Sequence, residues 1–321
     1  MTNEELCASF QPLWADINFA ETYPAKRPLL AHYTSITTLD AIMANDQVWF
    51  SNPLFMNDSE ELRFGILQGV EALRRHEGIR NACGSHERYA AFLAAFNSLF
   101  DRFANEYAFD VYVFCAAEHQ PENTDGVLSM WRGYGGNGNG AAIVFDTSKF
   151  RYIDGAAPMI VSNVIYASSE QRVAWIANKL DEFATLLAKA HVETDKFYLP
   201  AFQLFERLKM FSLFTKHRGF AEEKEWRVVY LRERDHDKKL DEMLHYAIGP
   251  RGLEPKLKFK IKPIDGVTAA DLSLESIVSQ IILGPTLSSP LAINSVKRML
   301  EKNGKSELAK RLVASTTPYR P

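Results

Sequence analysis

Leu29-Leu-Ala-His32-Tyr33-Thr34-Ser35-Ile36-Thr-Thr-Leu39-Asp-Ala-Ile42-Met43-Ala-Asn-Asp-Gln47-Val-Trp49-Phe50-Ser51 is the stretch on which the fold turns. Leu29–Tyr33 is apolar enough for a short strand. Thr34 or Ser35 supplies a side-chain oxygen to cap a helix. Ile36, Leu39, Ile42 and Met43 then recur on one helical face. Gln47–Ser51 reads as a second strand, ended by Asn52-Pro53.

N-terminal to this stretch, residues 3–20 read as one helix, with Leu6, Phe10, Leu13, Trp14 and Ile17 at spacings of three and four. A polar, proline-bearing stretch, Glu21–Pro28, ends it. On the other side, Asn57-Asp-Ser-Glu-Glu61 carries helix-capping chemistry, and a helix of some twenty residues follows. A helix at 86–107 leads to a strand at 109–117, with a short helix or turn at 128–134. Gly135-Gly-Asn-Gly-Asn-Gly140 is a turn before the strand Ala141–Phe145. A strand at 159–166 precedes helices at 168–191 and 195–213. Glu225–Leu231 alternates, so Glu225 and Arg227 share one face of a strand and Trp226 the other. Further strands are expected at 257–262 and 277–283, and a helix at 290–301.

This order predicts an α+β fold: a single domain with a central mixed, mainly antiparallel sheet and helical insertions. The expected parts are an N-terminal helix and linker (1–27), a main domain (28–290) with a helical insertion at about 168–213, and a C-terminal helix and tail (291–321).

The chain has 321 residues, of which 46% are hydrophobic, with 37 basic against 40 acidic residues for a net charge of −3. Such a composition excludes disorder, collagen-like repeats and a coiled rod. It gives no whole-protein attraction to nucleic acid or anionic lipid. Arg74, Arg75, Arg80, Lys256, Lys258, Lys260 and Lys262 are the candidates for a local basic surface, and the alternating lysines are more simply a solvated strand face. No apolar run reaches the ~18–20 residues that span a bilayer. The acidic N-terminus lacks the marks of a signal peptide, so no membrane partner and a cytoplasmic location are expected. Cys7, Cys83 and Cys115 form no CxxC pair, which points to free thiols and no metal site.

Phosphate-loop, HExxH and GxSxG motifs are absent, and Gly133–Gly140 precedes a strand instead of opening a helix. Three segments hold residue types suited to a ligand. Polar His32, Tyr33, Thr34 and Ser35 leave an apolar strand just before a helix. Trp131, Arg132 and Tyr134 sit in one short turn beside glycines, where aromatic rings could stack on a base or a nicotinamide. Glu225 and Arg227 lie within a strand, on one face, where a carboxylate and a guanidinium hold each other in place. The plainer alternatives are a core-satisfied histidine, a core tryptophan and a charged surface cluster.

Taken in order, these segments with Trp49-Phe-Ser-Asn-Pro53, Asn57-Asp58 and Glu60, Gly140–Asp146 and Ile281-Ile-Leu-Gly284-Pro285 resemble a large bacterial family catalogued as domain of unknown function 2971. The resemblance covers about residues 28–290. More distantly, His32-x-Thr34, the Trp49-Phe50-Ser51 strand and a late-strand glutamate resemble the ADP-ribosyltransferases. That likeness implies NAD as substrate. His32 and Thr34 would contact its ribose, and Glu225 would hold the ribose as the bond breaks. Phe50 and Ser51, or Tyr134, would frame the nicotinamide, with Tyr33 and Trp131 nearby. Arg132, Arg227 or Lys216 would meet the pyrophosphate.

The expected function is thus cleavage of NAD, by a transferase or a glycohydrolase, with ADP-ribose passed to protein, nucleic acid or water, as in a toxin or antiviral effector. Two other classes compete: a non-catalytic nucleotide- or RNA-binding module, and a metal-dependent nuclease built on Asp58, Glu60 and Glu225.

Overall fold

The computed structural model describes residues 1–56, 59–150, 158–249 and 252–319. The chain forms two compact units: a helical one from 1–19, 53–111 and 164–219, and a sheet-containing one from 20–52, 112–163 and 220–321.

Among the described residues twelve strands run in chain order: β1 Leu29–Ser35, β2 Gln47–Ser51, β3 Val111–His119, β4 Gly140–Asp146, β5 Met159–Asn163, β6 Ile165–Ala167, β7 Thr215–His217, β8 Glu225–Leu231, β9 Leu244–Gly249, β10 Gly252–Lys260, β11 Val278–Leu283 and β12 Leu312–Ala314. Ten of them make one sheet in the order β12-β11-β4-β1-β3-β2-β10-β9, with β8 paired to β3 and β5. The pairing of β11 with β12 is parallel, while β1 with β3 and β4, β2 with β10, and β5 with β8 are antiparallel. The α+β class and the mixed, mainly antiparallel sheet follow from the pattern of the sequence.

Alternation explains how this sheet is buried on both faces. Leu30, Phe50, Phe114, Ile143, Trp226, Tyr230 and Ile281 join the large core on one face. Ala31, Tyr33, Ala117, Trp131, Ala142, Val144 and Ile282 form a second cluster on the other. Strands covered on both sides read as near-continuous apolar runs, which is how Val111–Ala117 and Ala141–Phe145 appear. The helix Ile36–Asn45 buries Leu39, Ile42 and Met43, is capped by Ser35 accepting from the Thr38 amide, and ends at Asp46 in a left-handed conformation (φ 51°).

β1 pairs with β4 along its whole length, from Leu29↔Asp146 to Ser35↔Gly140. Its ladder with β3 stops after Ala31↔Ala117. Farther along, β3 pairs instead with β2, at Val113↔Ser51. The sheet therefore forks at His32.

The helical unit packs Ser59–Arg74, Glu77–Cys83, His86–Asn105, Ser169–Ala190 and Tyr198–Leu213 around phenylalanines 10, 92, 96, 183 and 205. Gly65 lets two of these helices approach, since a Cβ there would lie 2.1 Å from Ser212 Oγ. Buried Arg207 reaches both carboxylate oxygens of Asp16 (2.8 and 2.9 Å) and lies over the rings of Trp14 and Trp175. Burial would raise the Asp16 carboxyl, but hydrogen bonds from Arg207, Trp175 and Lys179 outweigh it and hold the group below its ordinary value.

Two expected elements are corrected. The helix expected over 3–20 stops at Ala8 and continues as 3₁₀ turns at Gln11–Trp14 and Phe19–Glu21. Pro12 has no amide hydrogen to continue an α-helix, although Leu6, Phe10 and Leu13 are buried as their spacing predicts. The strand expected over 159–166 is two: β5 pairs with β8, and β6 pairs in parallel with β7 in a separate two-stranded sheet. All three cysteines are free, and burial pushes the Cys83 thiol up to about 11.

Candidate functional site

Glu225 opens β8. Trp226, Val228 and Tyr230 point into the large core, so alternation sends Glu225 and Arg227 to the opposite face. Both are buried, at 5% and 6% exposure. Arg227 Nε donates to Glu225 Oε1 at 2.7 Å. Each also takes part in further interactions. Lys224, just before them, has φ 41°, a left-handed backbone that costs a lysine energy. It gives its carbonyl to the Glu118 amide (2.9 Å). A strained turn and a strand register thus fix where the Glu225 carboxylate begins.

Trp131 is 0% exposed. Its indole N–H donates to the Asp125 carbonyl (2.8 Å), and its ring meets Tyr33 edge-on at 4.8 Å. Cβ atoms at Gly126 and Gly135 would lie 2.8 and 2.4 Å from that ring. No ring face is left for a base, so the expected stacking role of Trp131 gives way to a supporting one. It anchors the helix Leu128–Gly133, after which Tyr134 emerges 46% exposed, its hydroxyl donating to Glu223 (2.8 Å). Arg132 is exposed and lies over the Tyr319 ring. The glycine turn that follows holds Gly136, Asn137 and Gly138 at positive φ. Tyr319 bonds Asn137 there, and Thr286 bonds the Gly138 carbonyl.

His32 lies at the fork. Its Nδ1 is 3.0 Å from the Cys115 carbonyl, and its ring packs on Phe114 with centroids 4.7 Å apart. A carbonyl only accepts, so Nδ1 carries the proton. Burial pushes the imidazole below its ordinary value, against the pull of that carbonyl, and the ring is neutral at pH 7. Tyr33, next along β1, points the other way and accepts from the Val127 amide (2.9 Å). Burial pushes its phenol up to about 12.

The two faces of the sheet therefore divide the expected residues. His32, Thr34 and Phe50 leave their strands toward the core side. Tyr33, Trp131, Glu225 and Arg227 lie on the other. Ser51, opposite in sense to Phe50, accepts from Lys256 Nζ (2.9 Å), and Lys256 pairs with Glu254 (3.0 Å). Lys216 is buried on β7 in the helical unit. Asp58 and the Glu60 side chain lie outside the described residues.

Several of the basic candidates are locally engaged. Arg75 pairs with Glu71, Arg74 donates to Asn97, and Lys258 lies over the Trp49 ring at 4.5 Å. Among the described residues no group of three or more His, Cys, Asp or Glu could hold a metal ion, and no helix is long and apolar enough to cross a membrane.

Glu118 lies outside the residues expected from sequence. It accepts from the Trp226 indole (3.0 Å) and from Lys26 (3.2 Å) and so fixes the start of β8 from the core side. An acidic residue in an otherwise apolar strand was the available signal. Asp125 lies outside the expected residues as well. The Thr316 amide and hydroxyl donate to it and hold its carboxyl below the ordinary value.

No curated protein and no solved structure matches this chain. Residues 130–228, from the helix that holds Trp131 to the strand that carries Glu225 and Arg227, match the model of a family described as a protein of unknown function, DUF2971.

Proposed function

We propose that the chain is an ADP-ribosyltransferase-like enzyme that cleaves NAD and passes ADP-ribose to an acceptor, with Glu225 as its central catalytic group. The buried Glu225–Arg227 pair carries the reading. Taking two charges out of water is expensive, and Trp226, Val228 and Tyr230 already give β8 its apolar anchor. A buried charge pair that the core does not need marks a functional-site candidate.

Cleaving the bond between nicotinamide and ribose builds positive charge on the ribose carbon. A carboxylate fixed in a water-poor site stabilises that charge more than it stabilises neutral ground-state atoms. Arg227 fixes its orientation through a charge-assisted hydrogen bond. Tyr134, half-exposed beyond the Trp131 anchor, offers a ring to nicotinamide, and Arg132 offers a guanidinium to pyrophosphate. Ser51 and Tyr33 share the Glu225 face. His32, Thr34 and Phe50 do not, and in this reading His32 is a positioning residue that ties the fork to the Cys115 carbonyl.

A second reading is a nucleotide-binding module with the same aromatic and basic contacts, favoured by the exposure of Tyr134 beside Arg132. Nicotinamide release, measured with and without cell extract as acceptor source, separates the two. In Glu225→Gln it is expected to fall roughly 10²–10³-fold, the loss of about 2.7–4 kcal/mol of transition-state stabilisation, at unchanged NAD affinity. Wild-type turnover in that variant would remove Glu225 from the chemistry. Binding without turnover in the wild type would favour the module.

A further inference from the structure

The sheet-containing unit holds a cavity of ≈ 250 Å³ on the core side of the sheet, away from the Glu225 face. Phe50, Phe114 and Phe259 contribute to its wall. Protein interiors are packed like organic crystals, and voids larger than a water molecule are few. An apolar cavity of about 150 Å³ stays dry and takes up benzene. One of this size has room for a larger molecule.

The polar groups on the wall are unequal. The Tyr23 hydroxyl donates to the Phe150 carbonyl at 2.7 Å, and the Thr268 hydroxyl donates to the Lys262 carbonyl at 2.9 Å. Both are spent on backbone. Among the described lining residues, Arg234 is the one charged side chain. A guanidinium has five donors in a fork that fits a carboxylate, so it serves an anion even while it keeps another partner. Apolar walls with a few placed polar groups are the usual form of a small-molecule site.

We propose that this cavity binds a small aromatic carboxylate, its ring system among the phenylalanines and its carboxylate on Arg234. The site is separate from the proposed NAD chemistry and stands or falls without it.

The test uses the full chain with naphthoate and with its neutral analogue naphthalenemethanol, by titration calorimetry and thermal melting. Naphthoate is expected to bind and to raise the melting temperature with concentration. Ala269→Phe, which adds a ring inside the cavity, is expected to weaken naphthoate at least about tenfold, because a filled pocket has no room for the ligand. Arg234→Gln should weaken naphthoate about fivefold to tenfold, the loss of a charge-assisted contact, and leave the neutral analogue unchanged. Should Ala269→Phe fail to melt cooperatively, Val161→Phe on β5 fills the same space. No binding of naphthoate at millimolar concentration overturns the proposal. So does wild-type affinity in the filled variant. Equal weakening of both probes by Arg234→Gln overturns the assignment of the carboxylate to that residue.

Discussion

Replacing the Glu225–Arg227 pair one member at a time, and then both together, separates a structural ion pair from a functional one. The bond is short, 2.7 Å from Nε to Oε1, and both side chains are almost wholly out of water. Removing one partner strands the other as a buried charge, at about 3–5 kcal/mol. The further interactions of both residues make that an upper figure. For a domain of about 150–250 residues, where 1 kcal/mol shifts the midpoint by roughly 2–4 °C, Glu225→Met or Arg227→Met should lower melting by roughly 6–20 °C. The double variant Glu225→Met/Arg227→Met removes both members of the pair together, and such replacements are near neutral or stabilising by about 1–4 kcal/mol. The double variant should therefore be more stable than either single one. Urea and thermal melts of the four proteins give the coupling energy directly. Additive losses in the double variant would refute the reasoning, as would single variants that melt like the wild type.

Three further outcomes follow from the geometry. Gly135→Ala forces a Cβ to within 2.4 Å of the Trp131 ring, and overpacking of this kind costs about 1–3 kcal/mol; a lowered urea midpoint with altered tryptophan fluorescence is the readout. His32 is held neutral, its pKa below the unfolded 6.5, so the unfolded chain binds the extra proton and stability falls as pH drops below that value; His32→Asn should flatten the slope of stability between pH 7 and 5. The Asp16 carboxyl is held below its ordinary 3.8, so its contribution is present above that pH and is lost as pH falls beneath it; Asp16→Asn should destabilise the wild-type fold at pH 7 and remove this part of its acid sensitivity.

Some of this was plain in the residues. Ser35 before Ile36, Leu39, Ile42 and Met43 marks a helix by chemistry that needs no partner, and Glu225-Trp-Arg227 divides its faces by strand geometry alone. What stayed hidden depends on distant pairing. The fork at His32 exists because β1 keeps β4 to its end while β3 leaves for β2, and no local signal records either register. β9 carries little local signal because His245, Tyr246 and Ile248 are exposed on an edge strand that its pairing with β10 organises. Trp131 looked available beside its glycines, yet those glycines are the reason the ring is enclosed. The division of His32 from Glu225 likewise needed the sheet to be assembled before the two faces could be compared.

The most direct test of the central claim is a time course of nicotinamide release from NAD by the wild type beside the doubly substituted Glu225→Met/Arg227→Met protein, with cell extract present and both shown to be folded. The account predicts release by the wild type alone. Equal release by the two proteins, or none by either, would contradict it.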